Sequence, residues 1–417
     1  MVTEKSCNWK SITEDAENLA SELSELRRDF HRYPEPGWME YRTSGRIAEL
    51  LKEYGFDEIL TGTQVCKAEA RMGVPEGGGL TGVIGILHCG DGPVAALRFD
   101  IDALPVMECA LPEHLPAKEG FLSEKKGFMH ACGHDGHITV GLGTAKLLCR
   151  MREHLHGTVK FIFQPAEEGV RGARAIVENG HLDDVDFLLG AHMYGGSEQH
   201  PCGICITAGH GLATTKLDAD FHGKASHAAA APEQGENALL AAATAVLNLH
   251  AIPRHGQADT RINVGKLTAG TGRNIIPESA HLELEVRGKT SEANQYMETY
   301  SMRILEAAAQ MHGCTVETQL MGTALSSSNS PELNDRLEQI CAEQLDLVVW
   351  REAEAFSNVS EDFSCMSEHV KAHGGQACYF LNVSKCKAPL HNNQFDFQEE
   401  ALVNGVKAFC GITADLL

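Results

Sequence analysis

The chain has 417 residues, 43% of them hydrophobic, which is enough for a large core and for two domains. Its 35 basic residues against 57 acidic ones give a formal net charge of −22, a surface that repels phosphate backbones and anionic lipid and argues against nucleic-acid or membrane partners. No stretch is long and apolar enough to span a bilayer, and Met1–Cys7 carry no apolar leader, so the expected location is the cytoplasm. The 14 cysteines are scattered along the chain and read as reduced thiols, not as a disulfide framework.

Leu19, Leu23, Leu26 and Phe30 recur at helical spacing and predict an opening helix, ended by Tyr33-Pro34-Glu35-Pro36-Gly37. Ile47, Leu50, Leu51 and Tyr54 predict a second helix that stops at Gly55, followed by a glycine-rich loop at residues 76–79. Apolar runs at 82–87, 94–99, 159–163 and 187–191 read as strands, with helical patterns at 136–151 and 171–179 between the later ones. Cys202-Gly203-Ile204-Cys205 has no second CxxC pair near it and reads as small apolar residues entering a strand. From Gly211 to Gly322 the pattern changes. Strands at 217–221, 260–266, 281–287 and 315–320 and helices at 237–250 and 291–310 give the order β-α-β-β-α-β, a ferredoxin-like unit. Afterwards a helix at 331–345, a strand at 377–382 and a closing helix from Glu399 resume the earlier character. The expected architecture is a three-layer α/β domain with a largely parallel sheet, formed by residues 1–210 and 323–417. An α+β domain at 211–322 interrupts it.

Metal-capable groups are densest in His130-Ala131-Cys132-Gly133-His134-Asp135-Gly136-His137. Cys132 and His134 straddle a glycine at a helix start, and a thiolate beside an imidazole suits zinc, manganese or nickel. The alternative is a capping loop with incidental histidines. In Gln164-Pro165-Ala166-Glu167-Glu168-Gly169, adjacent carboxylates follow a buried strand, which is costly unless a cation offsets their charge. Pro165 keeps the segment out of helix, so one glutamate can ligate while its neighbour faces a water as general base. A solvated helix start is the plainer reading, but the pair ends a strand, where open α/β sheets place their sites. His192 also ends a strand, and His391 sits in Pro389-Leu390-His391-Asn392-Asn393; either alone is more often structural. Asp102 follows the strand at 94–99 and could orient a ligating histidine from behind, or cap the turn before Pro105. In the inserted domain His227, Asn274 and Arg287 could meet an anionic substrate.

The segments MHACGHDGH, FQPAEEG, GAHM, GRNIIP, SEDFS and HNNQFDF, in this order, resemble the aminoacylase/carboxypeptidase metallopeptidase family. Within it they are most similar to the branch of hippurate, auxin-conjugate and N-acyl-amino-acid amidohydrolases, and the similarity runs over nearly the whole chain. The resemblance implies a catalytic domain with a zinc-peptidase-like sheet holding two divalent cations, manganese first and zinc, nickel or cobalt otherwise. It also implies a lid domain that dimerises, as a homodimer or with a paralogous chain. By matched position it implies Cys132, His134, Glu168, His192 and His391 as metal ligands, Glu167 as base, and Asp102 as support for the metal pair. His227 would reach the active site of the dimer partner and polarise the scissile carbonyl; Asn274 and Arg287 would hold the substrate, Arg287 by pairing with a carboxylate. The implied substrate is an aromatic acyl amide of an amino acid, p-aminobenzoyl-glutamate first, with indoleacetyl, benzoyl or acetyl conjugates as runners-up. Three departures from the resembled pattern bear on substrate and partner. Only Glu76 stands between Pro75 and the glycines, Ala231 replaces a lysine, and Asn393 replaces a glutamate. Two rivals are a non-catalytic member of a two-chain hydrolase, which the complete set of candidate ligands opposes, and a structural zinc protein, which the carboxylates oppose.

Overall fold

Short apolar strands that bury both faces need helices on both sides, and this sets the larger layer structure. In the computed structural model, residues 9–209, 211–355 and 357–417 are described. Met1–Cys7, read above as lacking a leader, and residue 210 at the expected domain boundary lie outside them. The strands are β1 (Glu58–Thr61), β2 (Val83–His88), β3 (Val94–Asp100), β4 (Thr158–Gln164), β5 (Phe187–Gly195), β6 (Gly203–Ile206), β7 (Ala213–His222), β8 (Thr260–Ala269), β9 (Ser279–Gly288), β10 (Thr315–Ala324), β11 (Val349–Arg351) and β12 (Gln376–Ser384). The α-helices are α1 (Trp9–Asn18), α2 (Ala20–Arg32), α3 (Tyr41–Tyr54), α4 (Leu115–Glu119), α5 (His134–Arg150), α6 (Ala173–Val177), α7 (Ala238–His250), α8 (Ser291–Met311), α9 (Pro331–Gln339), α10 (Phe363–Ala372) and α11 (Glu400–Leu416).

The chain forms two units, one of residues 1–210, 327–357 and 362–417, the other of 211–326 and 358–361. The first holds an eight-stranded sheet in the order β1-β2-β4-β3-β5-β12-β6-β11. Along β3, Ala95, Leu97 and Phe99 face one helical layer and Ala96 the other; along β4, Val159, Phe161 and Phe163 oppose Ile162 in the same way. The first layer is packed by Ile12 of α1, Leu23 of α2, Ile47 of α3, Leu142 of α5, Leu337 of α9 and Phe409 of α11. The second is packed by Ile176 of α6 and by Phe363 and Met366 of α10. The sheet is parallel at its centre, as expected, and mixed toward its edges. β4-β3-β5-β12 pair in parallel, as do β6 and β11, whereas β1 with β2, β2 with β4, and β12 with β6 run antiparallel. The parallel centre aligns the carboxyl ends of β3, β4 and β5, the place where open α/β sheets build sites.

The second unit has a four-stranded antiparallel sheet in the order β10-β7-β9-β8, the ferredoxin-like arrangement. Leu282, Leu284 and Val286 of β9 alternate into a core with Ala241 and Ala245 of α7 and Leu305 of α8. The unit extends past the expected residue 322 because β10 runs through Ala324, and residues 358–361 join it. The Leu212 amide donates to the Val359 carbonyl at 2.8 Å, and the Ser360 hydroxyl to the Leu212 carbonyl at 2.7 Å. Three local expectations also change. The expected opening helix is α2, but a further helix, α1, precedes it; the helix expected at 171–179 shortens to α6, and α9 passes into a π-helical turn at Ile340–Gln344. Cys205 enters β6 and is buried, as the plain reading of the CxxC pair has it.

Candidate metal centre

Cys132 is set by the tight entry into α5. Gly133, the residue before the helix, takes a left-handed φ of 87°, which side chains resist, and a Cβ there would lie 3.1 Å from Met193. The loop leading in is held by reciprocal backbone hydrogen bonds between Leu104 and Met129. Cys132 is buried, and its Sγ lies 3.5 Å from His192 Nε2 and 3.3 Å from His391 Nε2. The His391 amide donates to the Ala131 carbonyl at 2.8 Å, which ties the distant Pro389–Asn393 loop to the same place.

Two imidazoles are fixed in one tautomer by main-chain carbonyls. His134 Nδ1 donates to the Asp102 carbonyl at 2.8 Å and His192 Nδ1 to the Met193 carbonyl at 2.6 Å, so in each ring Nε2 is the nitrogen turned toward the other donors, that of His192 toward the Cys132 thiol. His137 differs. Its Nδ1 bonds Asp100 and its Nε2 accepts the Met193 amide at 2.7 Å, so both nitrogens are spent on the fold.

The glutamate pair follows β4 through Pro165 and Ala166, whose φ of 52° turns the chain back. The Asp102 carboxylate accepts the Glu167 and Glu168 amides, both at 3.0 Å. Asp102 therefore grips both glutamates by their backbone and His134 through its carbonyl. The Glu167 carboxylate comes within 4.0 Å of His134 Nε2, and the Glu168 carboxylate within 3.7 Å of His391 Nε2.

Donor atoms of Cys132, His134 and His192 lie within 4.8 Å of one another, and so do those of Cys132, Glu168 and His391. The thiol is common to both groups, an arrangement that can hold two ions side by side. His134 Nε2 and Glu168 Oε1 are buried with no hydrogen-bond partner, which is costly in a site without a cation and natural in one with it. The electrostatics agree. Burial, then the Glu168 and Glu167 carboxylates, push the Cys132 thiol far up, and burial followed by Asp102 and Asp100 raises the Glu168 carboxyl to about 7. Burial pushes His192 down, whereas at His134 burial is outweighed by Asp100 and Asp102, which raise it to about 10. A divalent charge among these groups favours thiolate, carboxylate and neutral imidazole together. The residues present fit such ions.

Reading the sequence alone missed the frame behind the donors. Glu40 accepts the Ala166 amide at 2.8 Å and the Thr81 hydroxyl at 2.6 Å; burial, then Asp102, raises its carboxyl to about 8. Arg98, fully buried in β3, donates to Asp100 at 2.7 Å, Gln164 at 2.8 Å and Asp362 at 3.1 Å. Asp362 also accepts the Gly172 and Ala173 amides ahead of α6. On the other side Arg27 and His31, both buried in α2, pair with Asp135, next to His134. One signal was available, an arginine inside the apolar run Val94-Ala95-Ala96-Leu97-Arg98-Phe99.

His227, Asn274 and Arg287 lie in the second unit. The Ala228 amide donates to the Asn274 carbonyl at 3.0 Å, which joins the two loops. His227 is exposed, and its Nδ1 accepts the Ala229 and Ala230 amides, which places the proton on Nε2. Arg287 stands apart from them on β9, where its guanidinium pairs with Glu285 at 3.1 and 3.2 Å.

Residues 96–415 match the model of the peptidase family M20/M25/M40. The chain belongs to the M20 peptidase family. Among its M20 relatives, one of the p-aminobenzoyl-glutamate hydrolase chains of Escherichia coli is 42% identical over 95% of this chain and 96% of its own length. Indole-3-acetyl-aspartic acid hydrolase of Enterobacter agglomerans is 40% identical over 95% and 96%. A Bacillus subtilis structure described as a dinuclear metal binding peptidase of the M20 family superposes with a TM-score of 0.68 at 29% identity, covering 96% of this chain and 99% of that one. Like the M20 peptidases it matches, this chain is a metal-dependent hydrolase. No helix among the described residues is long and apolar enough to cross a membrane.

Proposed function

We infer that the chain hydrolyses the amide bond of an N-acyl amino acid, p-aminobenzoyl-glutamate first, to release p-aminobenzoate and glutamate. The observation that carries this is the single thiol of Cys132 shared by two groups of donor atoms with Glu167 beside them. The two relatives above are both named for an acidic amino acid joined to an aromatic acyl group, which supports the substrate class.

Cys132, His134 and His192 would hold one divalent ion and Cys132, Glu168 and His391 a second, manganese being our first assignment and zinc, nickel or cobalt the alternatives. Ions so placed lower the pKa of a water and polarise a carbonyl. Glu167 takes the proton of the attacking water and later delivers it to the leaving amine nitrogen, so that one carboxyl group serves as base and then acid. Its backbone is fixed by Asp102, which holds its carboxylate beside that of Glu168, the two with His134 within 4.8 Å of one another. His227 donates Nε2–H to the carbonyl oxygen as charge develops there. Asn274 bonds the substrate, and Arg287 pairs with its carboxylate once Glu285 yields.

We assign His227 to the site of a second copy, in a homodimer formed through the second unit or a heterodimer formed with a paralogous chain. Leu239, Leu240 and Leu247 of α7 are exposed, Leu247 by 74%, and support such an interface. The cytoplasm is the location we assign.

The test is a panel of acyl-amino acids assayed with this chain alone and added Mn2+. Release of glutamate from p-aminobenzoyl-glutamate at the highest kcat/KM is expected. A higher value for an indoleacetyl, benzoyl or acetyl conjugate moves the substrate assignment to that conjugate, and no release from any of them contradicts self-sufficient hydrolysis.

A further inference from the structure

Outside the donor groups described above, His369 and His373 stand one turn apart near the end of α10, with ring centroids 4.3 Å from each other. Asp183, on the turn that precedes β5, faces them, its Oδ1 2.8 Å from His369 Nε2. One ligand atom from each of the three lies within 4.8 Å of the other two.

The surroundings prepare these atoms for a cation. His373 Nδ1 donates to the His369 carbonyl at 2.8 Å, so its Nε2 is left as a lone pair, the tautomer that metal-ligating histidines adopt. Lys160 reaches Asp184 at 2.5 Å, and Leu182 and Val185 anchor the turn in the core, so Asp183 alone is presented to the histidines. The two segments are stitched together, because the Gln376 amide donates to the Asp186 carbonyl at 2.8 Å and Gly375 packs where a Cβ would lie 2.6 Å from the Val185 carbonyl oxygen. The C-terminal end of α10 carries partial negative charge, and the chain is strongly acidic, both of which favour a cation. Metal–ligand bonds of about 2.0–2.1 Å need donors roughly 3.4 Å apart. The Asp183 side chain, 61% exposed, can swing by that small difference.

We propose that Asp183, His369 and His373 form a peripheral site for a divalent transition ion, of the class bound by two imidazoles and a carboxylate, with water completing the shell. Zinc, nickel and copper suit this donor set. The ion clips the end of α10 to the turn before β5 and takes no part in hydrolysis.

Zn2+ is the probe. The full chain is equilibrated with Zn2+ by dialysis, and bound zinc is counted per chain in the wild type and in His373→Ala, whose side chain is exposed. The expected result is one zinc fewer in His373→Ala, with hydrolysis of p-aminobenzoyl-glutamate unchanged. Cys132→Ala separates this site from the proposed hydrolytic centre, since it should lose zinc there and keep the portion that depends on His373. Thermal unfolding of Cys132→Ala should shift upward with Zn2+, and that shift should vanish when His373→Ala is added. Equal zinc content in wild type and His373→Ala overturns the proposal, whatever Cys132→Ala does.

Discussion

The proposed hydrolytic centre and the loops of the second unit hold their polar groups in opposite ways. Around Cys132 and the glutamates the donors are mostly buried and fixed by a second group, His391 being the exposed one. Asp102 grips both glutamate amides, Arg98 and Asp362 brace the strand ends, and Arg27 and His31 hold Asp135 beside His134. His227 and Asn274, by contrast, are exposed on loops joined to each other by two backbone bonds, and Arg287 is satisfied by its own neighbour Glu285. The first region is built to keep its geometry without substrate. The second is left open to the solvent, as the role we propose for it, at a substrate carbonyl in the site of a second copy, requires.

This contrast breaks most sharply at Glu167. Glu167→Gln should cut kcat by about 10²–10⁴-fold while leaving the bound ions in place, because the base is lost and the ligands are not. Retained turnover would remove Glu167 from its role. His227→Ala should cost about 10²–10³-fold in kcat. Mixing His227→Ala with Glu167→Gln protein should then restore activity, since a mixed dimer contains one site with both groups. Absence of recovery would place His227 in its own chain's site. Asp102→Ala, which removes the grip on the glutamate amides, should lower activity or metal affinity by about 10–100-fold. The smallest effect concerns stability. His31 lies between Asp135 and Glu108; burial lowers its pKa, but hydrogen bonds to those carboxylates outweigh it and raise it from 6.5 to about 9. Its contribution is therefore complete below about pH 6.5 and lost as pH rises through about 9. Burial pushes Glu108 up, but His114 and His31 outweigh it and hold the carboxyl down at about 2, so it contributes above about pH 4.5 and less as pH falls toward 2. The melting temperature of the wild type should fall across the alkaline window more steeply than that of His31→Gln, and parallel curves would deny His31 this part.

How much of this is legible in the sequence depends on range. Cys132-Gly133-His134 and Glu167-Glu168 announce themselves because their chemistry is packed into a few neighbouring residues. The ferredoxin-like order is legible because alternation along β9 and the apolar face of α7 repeat locally. The mixed direction of the large sheet is hidden, since the pairing of β2 with β4 and of β12 with β6 leaves no mark on the pattern of either strand. The brace is hidden for the same reason, as Arg98 meets Asp362 from 264 residues away. Glu40 looks like any surface glutamate at a helix start until Ala166 and Thr81 close over it. The resemblance supplied His192 and His391 as ligands; taken singly, each histidine reads as structural.

The central claim is a pair of ions that share the Cys132 thiolate. Anomalous scattering at the manganese edge, from crystals of the full chain grown with Mn2+, tests it directly. Two peaks are predicted, one beside His134 and His192 and one beside Glu168 and His391, with Cys132 Sγ between them. A single peak, or a pair that leaves Cys132 unligated, would contradict the account.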